Sequence, residues 1–319
     1  MYREETMRIR TFVAWSALVL SIFIPCTGVQ AQEKIRFGVL PVLQALPLFV
    51  AQDKKLFEKN GIQVELIPFN TATEKDVALT TGNIDGYFGD LLTPIVLQAN
   101  RHNVKIVATS YDTRKDKRMF AILGKPKCEY KSVSELAGVP VAVSSNSVID
   151  FVTERLLTGN GVPQDKVTVI EAKNIGLRMQ MLLSGQVEAA TLPEPLVTAA
   201  VGKGATVLAD DSKLGESQTV LVFSAGFSDK NPGAVKAFLK AQNEASKLIN
   251  ANPDSVRSTM VEHVRLPEHL KASYPIPRFP ELAAPEKDNV QTIIQWLTKK
   301  GVISESLTYE QVVDASYLP

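Results

Sequence analysis

Four small polar residues, Ser144, Ser145, Asn146 and Ser147, stand where the apolar run "VPVAVS" (139–144) gives way to a helix-patterned segment. Hydroxyls and an amide beside the free N–H groups of a helix N-terminus suit a carboxylate, a sulfonate or another acceptor-rich group. The same residues could instead do no more than start the helix, since Ser147 and Asp150 have capping-box spacing. Gly89–Asp90 ends another strand, where Asp90 either caps the next helix or turns inward to meet a cationic or donating group. Glu194 lies in "LPEPL" (192–196), where a proline on each side gives it a fixed direction, whether into a site or on a surface turn. Asn70, Thr71, Thr109 and Asn174 complete the polar residues expected at strand ends, and Gln44, which precedes the first helix, is a further candidate. Two carboxylates with no evident lining arginine point away from a simple inorganic anion. They suit a zwitterion, an amine or a hydrogen-bonding heterocycle, although Arg178, just after Asn174, could reach inward.

Catalytic signatures are missing. The three histidines, His102, His263 and His269, form no metal trio, and HExxH, GxSxG, CxxC and phosphate-loop spacings do not occur. Gly-rich dinucleotide loops are also missing, so no cofactor, no metal and no enzyme activity are expected. The chain has 319 residues, 45% hydrophobic and 22% charged, with a formal charge of +1, enough for two modest domains. Near-neutral charge without basic runs gives no support to nucleic-acid binding.

The elements that would position these residues alternate. Strand-like runs are "KIRFGVL" (34–40), "IQVELI" (62–67), "IDGYFG" (84–89), "VKIVATS" (104–110), "VPVAVS" (139–144), "KVTVIE" (166–171), "VEAATL" (187–192), "ATVLA" (205–209) and "TVLVFS" (219–224). Amphipathic helix patterns separate most of them, which argues for an α/β fold with largely parallel sheets. Pro47 suits a first helical turn and Gly61 a stop, while Pro232 to Ile249 reads as one long helix. Five prolines between Leu266 and Pro285 break regularity and predict a wandering surface segment. An internal echo pairs "LTTGNIDGYFGDLLTPIV" from Leu79 with "LLSGQVEAATLPEPLVTA" from Leu182, so two similar lobes are expected. In open α/β sheets ligands sit beyond the carboxyl ends of the strands, which is where the opening residues fall.

The first residues read as a leader. Arg3, Arg8 and Arg10 precede an apolar stretch from Phe12 to Ile24, and Val29 and Ala31 suit cleavage after Ala31. Residues 1–31 are therefore expected to be a secretory signal peptide and the protein to be periplasmic. Phe23, Ile24 and Pro25 match lipid attachment at Cys26 poorly, and Cys128 alone cannot form an intrachain disulfide.

The order of these features resembles the type 2 periplasmic solute-binding proteins, closest to the taurine, alkanesulfonate, nitrate and thiamine-precursor (THI5/NMT1-like) group. "KIRFGVLPVLQALPLFVAQDKKLFEKNGIQVEL" (34–66), the 79–108 segment, "LAGVPVAVSSNSVIDFVTERLL" (136–157) and "VEAATLPEPLVTAA" (187–200) carry it, over roughly residues 34–250. The resemblance implies two α/β lobes, each a mostly parallel sheet flanked by helices, with the ligand cleft between them. Residues 32–110 and 225–319 would form one lobe and 120–222 the other, with crossover segments at 111–119 and 223–224. It implies a monomer that captures one small molecule and hands it to an inner-membrane ABC permease with its cytoplasmic ATPase. By position the pocket would take Gln44, Asn70, Thr71, Gly89, Asp90, Ser144, Asn146, Ser147, Asn174 and Glu194. Leu192 stands where an aromatic is often found beside Glu194, which counts against taurine, sulfonate and nitrate as default ligands. A ligand-sensing module for a membrane sensor would use the same fold. Thiamine-pyrimidine synthases also resemble it, but their cysteine-rich motif is missing, and a menaquinone-pathway dehydratase would act on a cytosolic substrate.

Overall fold

Apolar runs too short to bury themselves alone assemble here into two five-stranded sheets. In this computed structural model the structure describes residues 34–113, 117–304 and 307–319; the expected leader, 1–31, lies outside them. The strands are β1 (Lys34–Val39), β2 (Gln63–Pro68), β3 (Gly86–Asp90), β4 (Val104–Asp112), β5 (Phe120–Gly124), β6 (Val141–Val143), β7 (Val169–Glu171), β8 (Ala189–Pro193), β9 (Thr206–Asp210) and β10 (Gln218–Ser224). The first sheet has the order β2-β1-β3-β10-β4 and the second β7-β6-β8-β5-β9. In the first sheet β1 runs parallel to β2 and β3, while β10 is antiparallel to β3 and β4. The second repeats this with β6 parallel to β7 and β8, and β5 antiparallel to β8 and β9. This is the two-lobed type 2 periplasmic binding protein architecture, and it places β3 and β8, the two halves of the internal echo, at equivalent positions.

Two details differ from expectation. β10 belongs to the first sheet, so the second lobe does not extend through residue 222, and the chain returns between β9 and β10 rather than at 223–224. A continuous apolar run says that a strand is buried on both faces but not which sheet buries it. β5 was also not among the expected strands; "FAILG" is short and follows a charged stretch, yet all five residues are buried.

Side-chain packing explains the helix positions. The 20-residue helix Pro232–Ala251 buries Val235, Phe238, Leu239, Gln242, Ala245 and Ile249, spaced three and four apart, against the first sheet. Phe238 meets Phe37 at 4.5 Å, Phe57 at 5.3 Å and Phe223 at 5.4 Å between ring centroids. Each such aromatic pair adds about 0.5–1.5 kcal/mol beyond its area burial. Pro47 sits in the first turn of the helix Leu46–Asp53 as expected, but the chain breaks at Lys55 (φ 54°) and restarts as Leu56–Lys59. Asp85, just before β3, accepts from Arg36 of β1 through Nη2 (2.6 Å), Nε (3.2 Å) and the backbone N–H (2.8 Å). Its counterpart in the echo, Glu188, is held by Lys125 instead, at 2.5 Å.

The C-terminal helix Lys287–Lys299 reaches the second lobe through its far end. Trp296 meets Phe151 edge-on at 5.5 Å, and Lys300 contacts Glu154 at 2.9 Å and Asp150 at 3.5 Å. Both carboxylates are almost fully buried. Burial pushes the pKa of the Lys300 ammonium down, but the hydrogen bond it donates to Glu154 and the two acidic charges outweigh this and raise it above the ordinary lysine value.

Two predictions follow from the packing. A Cβ on Gly86 would lie 2.5 Å from the Val222 carbonyl oxygen and 2.8 Å from the Phe223 ring, so Gly86→Ala forces the sheet apart. It should cost about 1–3 kcal/mol in denaturant unfolding, whereas Gly226→Ala, with nothing within 4 Å, should cost far less. Lys300→Met leaves two buried carboxylates unpaired and should cost up to about 3–5 kcal/mol at neutral pH. A lysine whose folded pKa is raised contributes fully below its unfolded value and loses that contribution as pH passes the folded one. The difference in Tm between wild type and Lys300→Met should therefore hold steady up to about pH 10 and shrink above 10.5.

Candidate functional site

The two crossings of the chain between sheets are joined by one buried carboxylate. Asp211, fully buried in the return crossing, accepts from the backbone N–H groups of Met119 (2.8 Å) and Phe120 (3.0 Å) with one oxygen. Its other oxygen and the Ser217 carbonyl share the one proton of the Thr113 hydroxyl, at 3.2 and 3.0 Å, and the Thr113 N–H donates to the same carbonyl at 3.0 Å. Burial holds the Asp211 carboxyl above the usual carboxylate range, with the bonds it accepts opposing the shift. The outward and return segments thus meet at a point of fixed geometry.

Beside this point lies a cleft of about 400 Å³. Leu43 and Gln44 enter it from the turn after β1, and Glu194 and Thr198 from the end of β8 and the start of the helix that follows. Tyr111 and Asp210 come from the ends of β4 and β9, Lys117, Arg118 and Ser212 from the crossings, and Tyr274, Pro275 and Pro277 from the proline-rich segment. The strand ends of both lobes and both crossings therefore converge, as the topology requires.

Glu194 is the most connected group in the cleft. Its carboxylate accepts from Arg118 Nε at 2.8 Å, from the Thr198 N–H at 3.1 Å and hydroxyl at 2.8 Å, and from the Tyr274 hydroxyl at 3.1 Å. Its own N–H donates to the Met119 carbonyl at 2.9 Å, which ties it to the outward crossing. Burial, reinforced by the Glu194 charge, holds the Tyr274 hydroxyl far above the usual phenol range, so it stays a donor. Arg118 and Glu194 neutralise each other. The other two charges of the lining are Lys117, which has no ion-pair partner among the described residues, and Asp210. One Asp210 oxygen accepts from the Ser212 N–H (3.1 Å) and hydroxyl (2.5 Å).

Of the residues expected in the pocket, the structure brings Gln44 and Glu194 together in this cleft; the others do not line it. Thr71 caps the helix Ala72–Thr80 by accepting from the Glu74 N–H at 3.2 Å, and Asn70 accepts from Arg265. Asp90 accepts from the Leu92 and Thr93 N–H groups at 3.0 and 2.8 Å, the capping role. Gly89 leaves room for Lys75, whose buried ammonium lies 3.2 Å from the Tyr87 ring centroid and 2.6 Å from Asp76. Burial lowers the pKa of this lysine, with Asp76 opposing.

The Ser144–Ser147 turn is spent on internal bonds. Ser147 accepts from the Ile149 N–H at 3.2 Å and donates to the Ser144 carbonyl at 2.7 Å. Asp150 accepts from the N–H of Asn146, which sits at φ 58°, and Glu171 from that of Ser145, both at 3.1 Å. Arg178, fully buried, donates to the Ser144 hydroxyl at 2.9 Å and the Ala172 carbonyl at 2.8 Å, and burial lowers its pKa to about 10. Asn174 caps its helix through the Leu177 N–H at 3.0 Å. Tyr111, Lys117, Arg118, Asp210, Ser212 and Tyr274 were not expected in the site. Lys117, Arg118, Ser212 and Tyr274 lie in the crossings or the proline-rich segment, which carry no periodic signal, and Tyr111 and Asp210 stand at the ends of β4 and β9.

Among the described residues, one group could hold a cation: ligand atoms of Asp53, Glu262 and His263 lie within 4.8 Å of one another. Asp53 is already engaged by the Thr259 hydroxyl at 2.6 Å and lies 3.3 Å from His263 Nε2, so the group is spent on contacts within the chain.

Comparison with known proteins agrees with this architecture. The alkanesulfonate-binding protein SsuA of Xanthomonas axonopodis pv. citri, bound to MOPS, superposes with a TM-score of 0.76 at 18% identity, covering 89% of this chain and 99% of that one. The periplasmic aliphatic sulphonate binding protein SsuA of Escherichia coli gives 0.74 at 20% identity, over 88% and 92%. The periplasmic nitrate-binding protein NrtA of Synechocystis PCC 6803 gives 0.72 at 16%, over 90% and 87%. No curated protein sequence matches the chain. The family model described as NMT1-like matches residues 29–264. With that match over most of its length and the two-lobed fold of periplasmic solute-binding proteins, the chain belongs to the NMT1-like family.

Proposed function

We propose that this protein is the extracytoplasmic solute-binding component of an ABC importer, and that it captures a small zwitterionic molecule between its lobes. The observation that carries the ligand class is the charge arrangement of the cleft. Arg118 and Glu194 cancel, and Lys117 and Asp210 remain as one cation and one anion on the same lining. A molecule bearing both signs meets both without bringing an unpaired charge into the cleft, which would be costly. Tyr111, Tyr274, Pro275 and Pro277 offer apolar wall for its carbon body. About 400 Å³ fits a small molecule rather than a peptide or a bare ion. No cleft-lining residue is a cysteine or histidine poised as a nucleophile or base, which favours capture over turnover. Similarity to proteins named for sulfonate and nitrate binding supports the receptor role. Delivery to a membrane permease and its ATPase, as a monomer in the periplasm, completes the reading.

The test is a thermal-shift and calorimetric screen on protein refolded from denaturant, with amino acids, amines, sulfonates, pyrimidines and nitrate as probes. Zwitterions should raise Tm saturably, and Lys117→Met should weaken their binding by about tenfold or more, some 1.4 kcal/mol. Shifts confined to nitrate or simple amines would overturn the ligand class; no shift with any class would overturn the receptor reading for this panel. Ser147→Ala should lower stability by about 1 kcal/mol through the lost helix cap. A matching loss of ligand affinity would bring the Ser144–Ser147 turn into the site, and unchanged affinity would leave it a structural turn.

A further inference from the structure

The proline-rich segment is tied down on one lobe and touches the other. Asn250 of the long helix brackets Phe279, accepting from its N–H at 2.9 Å and donating to its carbonyl at 2.7 Å. Asn243 of the same helix accepts from the Leu282 N–H at 2.9 Å, and the Thr109 N–H of β4 donates to the Ala283 carbonyl at 2.7 Å. Arg257 donates to the Tyr274 carbonyl at 3.0 Å. All of these anchors belong to the lobe built on the first sheet. The Tyr274 side chain points the other way, with its ring on the cleft wall and its hydroxyl 3.1 Å from Glu194 at the end of β8. Among the described residues this is the one hydrogen bond from the segment to the second lobe. Glu194 keeps Arg118 and Thr198 whatever the segment does, because both move with its own lobe or with the crossing bonded to it. Of the bonds to Glu194, only the one from Tyr274 requires the lobes to be together; away from the cleft, Trp296 and Lys300 also reach the second lobe, at Phe151, Glu154 and Asp150.

We propose that Tyr274 and Glu194 form a latch between the lobes, one that favours the closed cleft before any ligand arrives and makes Tyr274 a selectivity-determining wall. The ring stands at a fixed height over the cleft whenever the latch is made. A ligand must then fit beneath a wall already in place, and a body that lifts the ring breaks the bond and loses the closed state. Shape, as well as charge, is then read at this site.

The latch rests on the two-lobed fold and on no ligand, so its test needs none. Nitroxide labels at Val77→Cys and Leu177→Cys, both 54% exposed and on helices of different lobes, report lobe separation by pulsed electron paramagnetic resonance. Cys26→Ser and Cys128→Ser remove the native thiols, and refolding strips any carried molecule. Tyr274→Phe keeps the ring and removes the hydroxyl; the closed-to-open ratio should fall roughly tenfold, as expected for a hydrogen bond to a charged group. Glu194→Ala removes the acceptor from the other lobe and should shift the distances in the same direction. Tyr309→Phe removes the bond to the Pro285 carbonyl, 2.8 Å long and within the first lobe, and should leave the distances unchanged. Unchanged distances in both Tyr274→Phe and Glu194→Ala would overturn the latch, as would an equal shift in Tyr309→Phe. Failure of the ligand screen would overturn the receptor reading and leave this result standing.

Discussion

The Asp211 carboxylate is the constraint on which the rest of the molecule depends. It sits without solvent where the chain crosses between sheets, and it satisfies two backbone N–H groups and a hydroxyl from the opposite crossing. A buried carboxylate is costly unless its hydrogen bonds are made, so the two crossings are held in one register. Met119, one of its donors, in turn receives the Glu194 N–H. The position of the most connected group in the cleft is therefore set by a residue that does not line it. Removing the Asp211 side chain would orphan N–H groups at the hinge and loosen Glu194 in the same step.

Charge in the cleft follows from this scaffold. Because Arg118 comes from the outward crossing and Glu194 from the end of β8, their ion pair closes a short loop around the hinge. The acid that looks like a ligand receptor in isolation is consumed by structure. The residues left to face a solute are those whose own structural duties are light: Lys117, Gln44 and one oxygen of Asp210. Polar strand-end residues elsewhere obey the same economy in reverse. Ser147, Asn174, Thr71 and Asp90 each serve the helix that follows.

That contrast explains how much could be read from the chain alone. Strand runs, the echo and the two lobes were legible because burial imposes hydrophobic patterns that survive in sequence. Gln44 and Glu194 could be named as candidates because one directly precedes the first helix and the other directly follows β8. Ser144 to Ser147 have the residue types of a ligand cradle and of a helix cap alike, and types alone do not separate the two. Tyr274 was not legible. It reaches Glu194 across 80 positions from a segment whose prolines erase periodicity, and long-range bonds to Thr109, Asn243, Asn250 and Arg257 aim it. β10 was seen as a strand but given to the wrong sheet, since pairing partners are a property of the whole chain.

The exchange of strands has its own consequence. Each sheet takes its fourth strand from the chain just after a crossing: β5 enters the second sheet antiparallel, and β10 returns to fill the gap between β3 and β4. The first sheet cannot be completed until residue 218 and beyond are available, more than a hundred positions after β4 ends. Pairings of such long separation close slowly, because loop entropy is lost before contacts compensate for it. An N-terminal fragment that stops before β10 would leave two strand edges unpaired. The first sheet therefore waits on the return of the chain, whereas the second can pair all five of its strands before β10 is reached.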